Sequence, residues 1–230
     1  LYNAKTGDWR GNKSFYRSGF CYTMSTQNFN VSSSIGALLG GSIINSENAI
    51  IDGRRGFLNF PLRLWGWGAG LGQECIDHYY FAITISGEKA VADFSPTDFD
   101  KVIGRSVLSK RMDELTGAYH PELKRFISRS SRTSMEYLLG TQDGLQWIVH
   151  ALSKKGAITD FGKTDLPGGI KWAGNEVPPE VISLQTLSGP WGEDYLANLI
   201  DDKTLPFEIR ARENNFTVYM GKNYGLASIS

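Results

Sequence analysis

Strict alternation of apolar and polar residues predicts β-strands in the first part of the chain. Residues 20–25 and residues 78–85 both alternate in this way, as half-buried strands do. In the second segment we expect one face to point into the core, whereas the other is either covered or lines a groove. The core face would carry Tyr79, Phe81, Ile83 and Ile85, and the groove face would carry His78, Tyr80, Ala82 and Thr84.

Turn signals separate these predicted strands. Asp52-Gly53 is typical of a two-residue hairpin turn, and Ser86-Gly87-Glu88-Lys89 would return the chain into another strand at residues 90–94. Residues 31–41 are rich in Ser and Gly, so we interpret them as a loop or a weak helix.

Helical spacing takes over in the middle of the chain. Ser95 is a favourable N-cap, and apolar residues then recur every three or four positions as far as Leu115, which predicts an amphipathic helix. A second helix is predicted from Pro121 and a third from Thr133. The third, or a successor after Gly140, carries apolar residues at helical spacing as far as residue 152.

The C-terminal part returns to alternation. Residues 159–179 are rich in Gly and Pro without periodicity, which indicates a long functional loop or a mobile linker. A short helix is expected at residues 193–200, followed by strands at 206–212 and 216–220. Residues 221–223 would then form a turn before the last apolar stretch.

The order of strands, helices and strands favours an α+β fold, with a mainly antiparallel sheet from N- and C-terminal segments and a helical middle region. We expect one domain over residues 1–230. Its parts would be strands in 15–94, a helical region in 95–156, a loop in 157–180, and a C-terminal helix and hairpins in 181–230.

Charge narrows the classes of partner. The chain has 24 Lys and Arg residues and 24 Asp and Glu residues, so its formal net charge is zero. A neutral protein lacks the basic field that attracts nucleic acid, so we expect no nucleic-acid partner. No apolar run reaches the roughly 20 residues that span a bilayer. Zero net charge also removes repulsion between copies, which favours a homo-oligomer as much as a monomer.

Two features favour a secreted or extracytoplasmic location. The chain has glycosylation triplets at Asn12, Asn30 and Asn215, and its two cysteines, Cys21 and Cys75, would pair in an oxidising compartment or simply be buried. The start at Leu1 fits a processed terminus.

The segment 57–86 concentrates the unusual chemistry, beginning with alternating glycines at 66, 68, 70 and 72. These glycines do not match G-x-G-x-x-G, and Gln73-Glu74 stands where a phosphate loop needs Lys-Ser/Thr. They are better explained by a backbone that passes close to the rings of Trp65 and Trp67. We therefore expect no cofactor.

Cys75 and His78 suggest a thiol nucleophile with its base. On one strand, residues three apart face opposite ways, so His120 or His150 would have to serve as base instead. The orienting acid would then be Asp77, Asp143 or Asp160, and no spacing selects among them. The three histidines and two cysteines also lack zinc-ligand spacing, so no metal site is predicted.

The last candidate pattern is aromatic rings close to carboxylates in the sequence, which suits the binding of a carbohydrate. Our first hypothesis is a glycan-active hydrolase or lyase with an aromatic-lined groove. The candidate catalytic residues are Glu74, Asp77 and His78, and the candidate substrate-binding residues are Trp65, Trp67, Tyr80 and Trp172. The alternative is a non-catalytic structural protein, viral or secreted, that assembles with itself or with a partner.

Overall fold

The computed structural model describes residues 27–66, 80–127, 145, 148–149, 152–153, 198–211 and 216–228. Residues 145, 148–149, 152 and 198–201 are also helical. The longer helices are α1 (Gln27–Ile43), α2 (Glu47–Gly66), α3 (Tyr80–Phe94) and α4 (Asp98–Ala118). The strands are β1 (Tyr119–His120), β2 (Arg125–Phe126), β3 (Phe207–Ala211), β4 (Phe216–Met220) and β5 (Gly225–Ser228).

The described residues are mostly helical with a few antiparallel strands, a loose form of the predicted α+β class. The predicted N-terminal share of the sheet is wrong where the structure describes it. Residues 27–66 and 80–94 are helical, so the strand at 78–85, its return at 90–94 and the turn at Asp52-Gly53 are corrected. Residues 15–26 lie outside the described part of the chain.

The described residues fall into two compact units. The first holds α1, α2 and residues 83–110, and the second holds residues 80–82, 111–127 and the described residues that follow. The expectation of one domain over residues 1–230 stays a prediction.

A Schellman motif ends α1 and leads directly into α2. The Ser46 amide donates to the Gly41 carbonyl at 2.8 Å, the Asn45 amide donates to the Ser42 carbonyl at 3.4 Å, and Asn45 is left-handed with φ 53°. The Ser46 carbonyl then accepts from the Ile50 amide at 3.0 Å, so Ser46 is also the N-cap of α2. This connection reverses the chain, and α2 packs against α1.

The core of the first unit is built by all four helices. Its buried members are Val31, Ile35, Leu38, Phe57, Val91 and Val107. Glycines allow close approach at two of its contacts: a Cβ at Gly53 would overlap the Leu38 amide nitrogen, and a Cβ at Gly104 would lie 2.7 Å from the Ala92 amide nitrogen. The Ser/Gly-rich segment 31–41 is therefore a packed helix, where the sequence left loop and weak helix open.

The helix predicted over 95–115 is confirmed, with a different cap. Thr97, two residues after the expected Ser95, accepts from the Asp100 amide at 3.2 Å and donates to the Asp100 carboxylate at 2.6 Å. Arg54 on α2 holds the same carboxylate with two hydrogen bonds of 2.7 Å. Burial alone would raise the pKa of Asp100, but the hydrogen bonds from Arg54 and Thr97 and the charge of Arg54 together lower it.

This pair gives a prediction for acid stability. A carboxylate with a lowered folded pKa stabilises the fold above its unfolded pKa of about 3.9, and this stabilisation is lost as pH falls through the folded value. Asp100→Asn should cost about 2 kcal/mol in the free energy of unfolding at pH 7. In this variant the free energy of unfolding should also depend less steeply on pH between about pH 2 and pH 5.

Urea unfolding across this pH range measures both effects. Asp113→Asn is the matched control, because Asp113 is exposed on the same helix. An unchanged acid slope in Asp100→Asn would contradict the stabilising role of the Arg54–Asp100 pair.

A short hairpin replaces the helix predicted from Pro121. Tyr119 pairs with Phe126 and His120 pairs with Arg125, and the Tyr119 and Phe126 rings meet edge to face at 5.5 Å. Lys124 is left-handed with φ 52°, which ends any helical path from Pro121.

The predicted C-terminal strands are confirmed as a three-stranded antiparallel sheet in the order β3-β4-β5. Ile209 pairs with Val218, and Val218 pairs with Ala227, so these three residues share a face. Val218 and Met220 on this face are fully buried, while Glu208, Arg210 and Leu226 on the opposite face are exposed. The sheet therefore has the one wet face that its alternation predicted.

Among the described residues, the helices are too short or too polar to cross a membrane.

Candidate functional site

Most residues of the predicted glycan site lie outside the described part of the chain. These are Glu74, Asp77, His78, Trp67 and Trp172, so their predicted roles stay predictions. The remaining two lie at helix ends: Trp65 is in the last turn of α2, and Tyr80 is the first residue of α3. The segment that carries the predicted acids and histidine thus connects the end of α2 to the start of α3 in sequence.

The predicted groove face changes with the correction from strand to helix. Tyr80 and Thr84 still share a face, because residues four apart are neighbours on a helix, but Ala82 does not join them. Thr84 is buried and Tyr80 is half-buried. Within the described residues, Tyr80 is therefore the member of this face that keeps some solvent exposure.

A buried ion pair in the second unit contacts Phe81, the residue that follows Tyr80. The Arg111 guanidinium donates to the Glu114 carboxylate at 2.7 Å, one turn further along α4, and both side chains are buried. The guanidinium also lies over the Phe81 ring, 5.2 Å from its centroid. Phe81 follows Tyr80 directly, so this pair fixes the first turn of α3 on which Tyr80 sits.

Lys203 caps the C-terminal end of α4. Its ammonium donates to the carbonyls of Thr116, Tyr119 and Gly117, the Tyr119 contact being 2.5 Å and the Gly117 contact 3.4 Å. These carbonyls belong to the last turn and its exit, where a helix leaves acceptors without helical partners. The ammonium also lies 4.8 Å from the centroid of the Phe207 ring. The primary role of Lys203 is therefore that of a helix cap.

Burial shifts the pKa values of Lys203 and of the nearby Tyr119. It lowers the pKa of Lys203 to about 7, because the charged ammonium loses water. Burial raises the pKa of the Tyr119 hydroxyl, and the negative charge of Asp201 raises it further. Asp201 in turn accepts a hydrogen bond from the Ser153 hydroxyl. A lysine with this pKa can exchange a proton near neutral pH, so the charge on this helix cap depends on pH in that range.

His120 is a structural residue of the second unit. It is fully buried, its Nδ1 accepts from the Leu123 amide at 3.3 Å, and its Nε2 lies 2.8 Å from the Gly221 carbonyl. Because Nδ1 accepts, the proton lies on Nε2 and is donated to Gly221. Through these two contacts, His120 connects β1 to the end of β4. Cys75, for which His120 was considered as a base, lies outside the described residues.

Among the described residues, no group of three or more His, Cys, Asp or Glu side chains could hold a metal ion.

Sequence reasoning missed the Arg111–Glu114 pair and the Lys203 cap. A signal existed for the first, since the residues are three apart on the predicted helix and i,i+3 pairs of opposite charge attract. Nothing in the sequence indicated burial of the pair. Lys203 reaches carbonyls 84 or more positions away in the chain, a contact that no local pattern reveals.

Comparison of the chain with protein-family models, with curated proteins and with solved structures finds no match in any of the three.

Proposed function

We propose that this protein is an enzyme acting on glycan, a hydrolase or lyase. In this proposal, Glu74, Asp77 or His78 supplies the acid–base chemistry, and Trp65, Trp67, Tyr80 and Trp172 hold sugar rings. The observation that supports it is the Arg111–Glu114 pair beneath Phe81. Buried charges are costly and concentrate at functional sites, and this pair supports the turn that follows the proposed acids in sequence.

The proposed chemistry follows from these side-chain types. Two carboxyl groups flanking a glycosidic bond can protonate the leaving oxygen and activate water or attack the sugar, whereas a base that removes a proton beside a uronic carboxyl would give elimination. Flat aromatic rings pack against the apolar faces of sugars. We also propose a secreted or extracytoplasmic location, which the cysteine pair and the glycosylation triplets support.

Activity on a panel of neutral and uronic-acid polysaccharides tests the proposal. New reducing ends would indicate hydrolysis, and the ultraviolet absorbance of an unsaturated sugar would indicate elimination. We expect at least one of Glu74→Gln, Asp77→Asn and His78→Ala to lose about 100-fold or more of the rate with the fold intact.

Glu122→Gln is the control, because Glu122 is an exposed acid in the β1–β2 hairpin loop and should leave the rate unchanged. The absence of product on every polysaccharide, or wild-type rates in all three site variants, would overturn the proposal.

A second proposal is supported by a different observation. Several large apolar side chains of the first unit are exposed, including Phe94 at 62 % and Phe99 at 57 %. Exposed apolar surface of this kind is typical of proteins that bind another protein. We therefore also propose self-assembly, the alternative function favoured by zero net charge.

A further inference from the structure

Exposed apolar residues lie close together in sequence at the α3–α4 turn, and we name the surface that they share with the exposed side of α4 the α4 face. Phe94 ends α3, and Phe99 and Val102 lie one turn apart at the start of α4, with exposed fractions of 62, 57 and 55 %. Gly104 of α4 lies close to Ala92 of α3, so the two helices pack against each other beside this turn.

Helix geometry places the polar members of the α4 face. With 100° per residue, Asp98, Phe99, Val102, Arg105 and Ser106 all lie on one side of α4. Asp98, Arg105 and Ser106 are exposed. The Ser106 hydroxyl donates to the Val102 carbonyl at 2.9 Å, so its proton is already used inside the helix and does not oppose apolar packing.

The charges on this face select its occupant. Asp98 and Arg105 are seven residues apart, about 10 Å along the axis, with Val102 between them. If a second copy of α4 packs antiparallel about a two-fold axis near Val102, each Asp98 lies opposite Arg105 of the other copy. A parallel arrangement would place like charges together. The surface is thus complementary to itself, as a two-fold interface requires.

We propose that the α4 face is the interface of a homodimer, with two copies of α4 antiparallel across Val102. This inference rests on the self-assembly function proposed above and specifies its surface. It places Phe99 and Val102 of each copy in the apolar centre, with the Asp98–Arg105 pairs at the rim.

Sedimentation over a range of concentrations tests the interface. Wild type should be dimeric, and Val102→Ser should weaken dimerisation about tenfold or more, because apolar area is lost in both copies. Asp98→Arg and Arg105→Asp should each weaken it severalfold, and the double variant should recover it, because the opposite charges then face each other again. Circular dichroism confirms that each variant keeps its helices.

Ile44→Ser is the matched control, since Ile44 is equally apolar and exposed but lies outside the α4 face. It should dimerise as wild type does. A dimer insensitive to Val102→Ser and to both charge reversals would overturn this interface while leaving self-assembly intact. A wild type that stays monomeric at all concentrations would overturn both.

Discussion

Gly53→Ala should unfold the first unit far more easily than wild type does. A Cβ at this position would overlap the Leu38 amide nitrogen and lie 2.7 Å from both the Leu38 Cα and the Ser34 carbonyl oxygen. All three atoms are backbone, so α1 and α2 would have to separate. We expect a loss of about 3 kcal/mol or more in the free energy of unfolding, despite the better helix propensity of alanine.

Gly36→Ala is the matched control on the partner helix. A Cβ at Gly36 meets nothing within 4 Å, so only the backbone entropy changes, and the variant should gain about 0.5–1 kcal/mol. Chemical denaturation followed by helical circular dichroism measures both variants. Equal stability in the two alanine variants would show that α1 and α2 do not pack closely at Gly53.

Lys203→Met should change both the stability of the second unit and its dependence on pH. The carbonyls of Thr116 and Tyr119 would lose their donor, which costs about 1–3 kcal/mol. In wild type, the folded pKa of Lys203 is about 7, below its unfolded value of about 10.4. Between these values the unfolded chain binds more protons, so the free energy of unfolding rises with pH.

The expected slope is at most about 1.4 kcal/mol per pH unit between pH 7 and about pH 10. Above pH 10 the raised pKa of Tyr119 acts in the opposite direction, because the folded chain then holds the extra proton. Lys203→Met should remove the rise below pH 10 and leave the fall above it.

Lys222→Met is the control, because Lys222 is an exposed lysine in the turn after β4. Urea unfolding at several pH values compares the three proteins. A rise that persists in Lys203→Met would mean that another group causes it.

The C-terminal sheet could be read from the sequence because its two faces differ in polarity. Ile209 and Val218 pair across the strands on the buried face, and Glu208 and Arg210 mark the wet one. In these segments the period-two alternation coincides with charged residues on the exposed face, and this combination predicts strands. Helix α4 could be predicted equally well, because its apolar residues recur every three or four positions over many turns.

The same alternation argument wrongly predicted strands within residues 80–94, which are helical. Ile83, Thr84 and Ile85 are β-branched and alternate over a short distance, but the buried positions Phe81, Ile85, Glu88 and Ala92 follow helical spacing. Two of the buried positions are charged, Glu88 and Lys89, and Lys89 pairs with Asp93 one turn away. A pattern search that treats charged residues as surface cannot find this helix, because tertiary packing overrides local propensity.

Only the types of side chain in the candidate site could be predicted from the sequence, and not their contacts or burial. The sequence identifies acids, a histidine and a tryptophan between α2 and α3, but it does not show Arg111 stacking on Phe81 or the burial of Glu114. Those contacts join residues 30 positions apart in sequence. Charge patterns along one helix predict which residues attract each other, whereas burial depends on what packs against them.

The sheet order β3-β4-β5 leaves the outer strand β5 with an open edge in the described part of the chain. The other outer strand, β3, carries Glu208 and Arg210, and outward charges of this kind discourage another strand from adding. Strand β5 has the sequence Gly-Leu-Ala-Ser, without a charge, and its Leu226 is exposed. In concentrated or partly unfolded protein, strand addition should therefore begin at β5, and a lysine at Leu226 would be the simplest protection against aggregation.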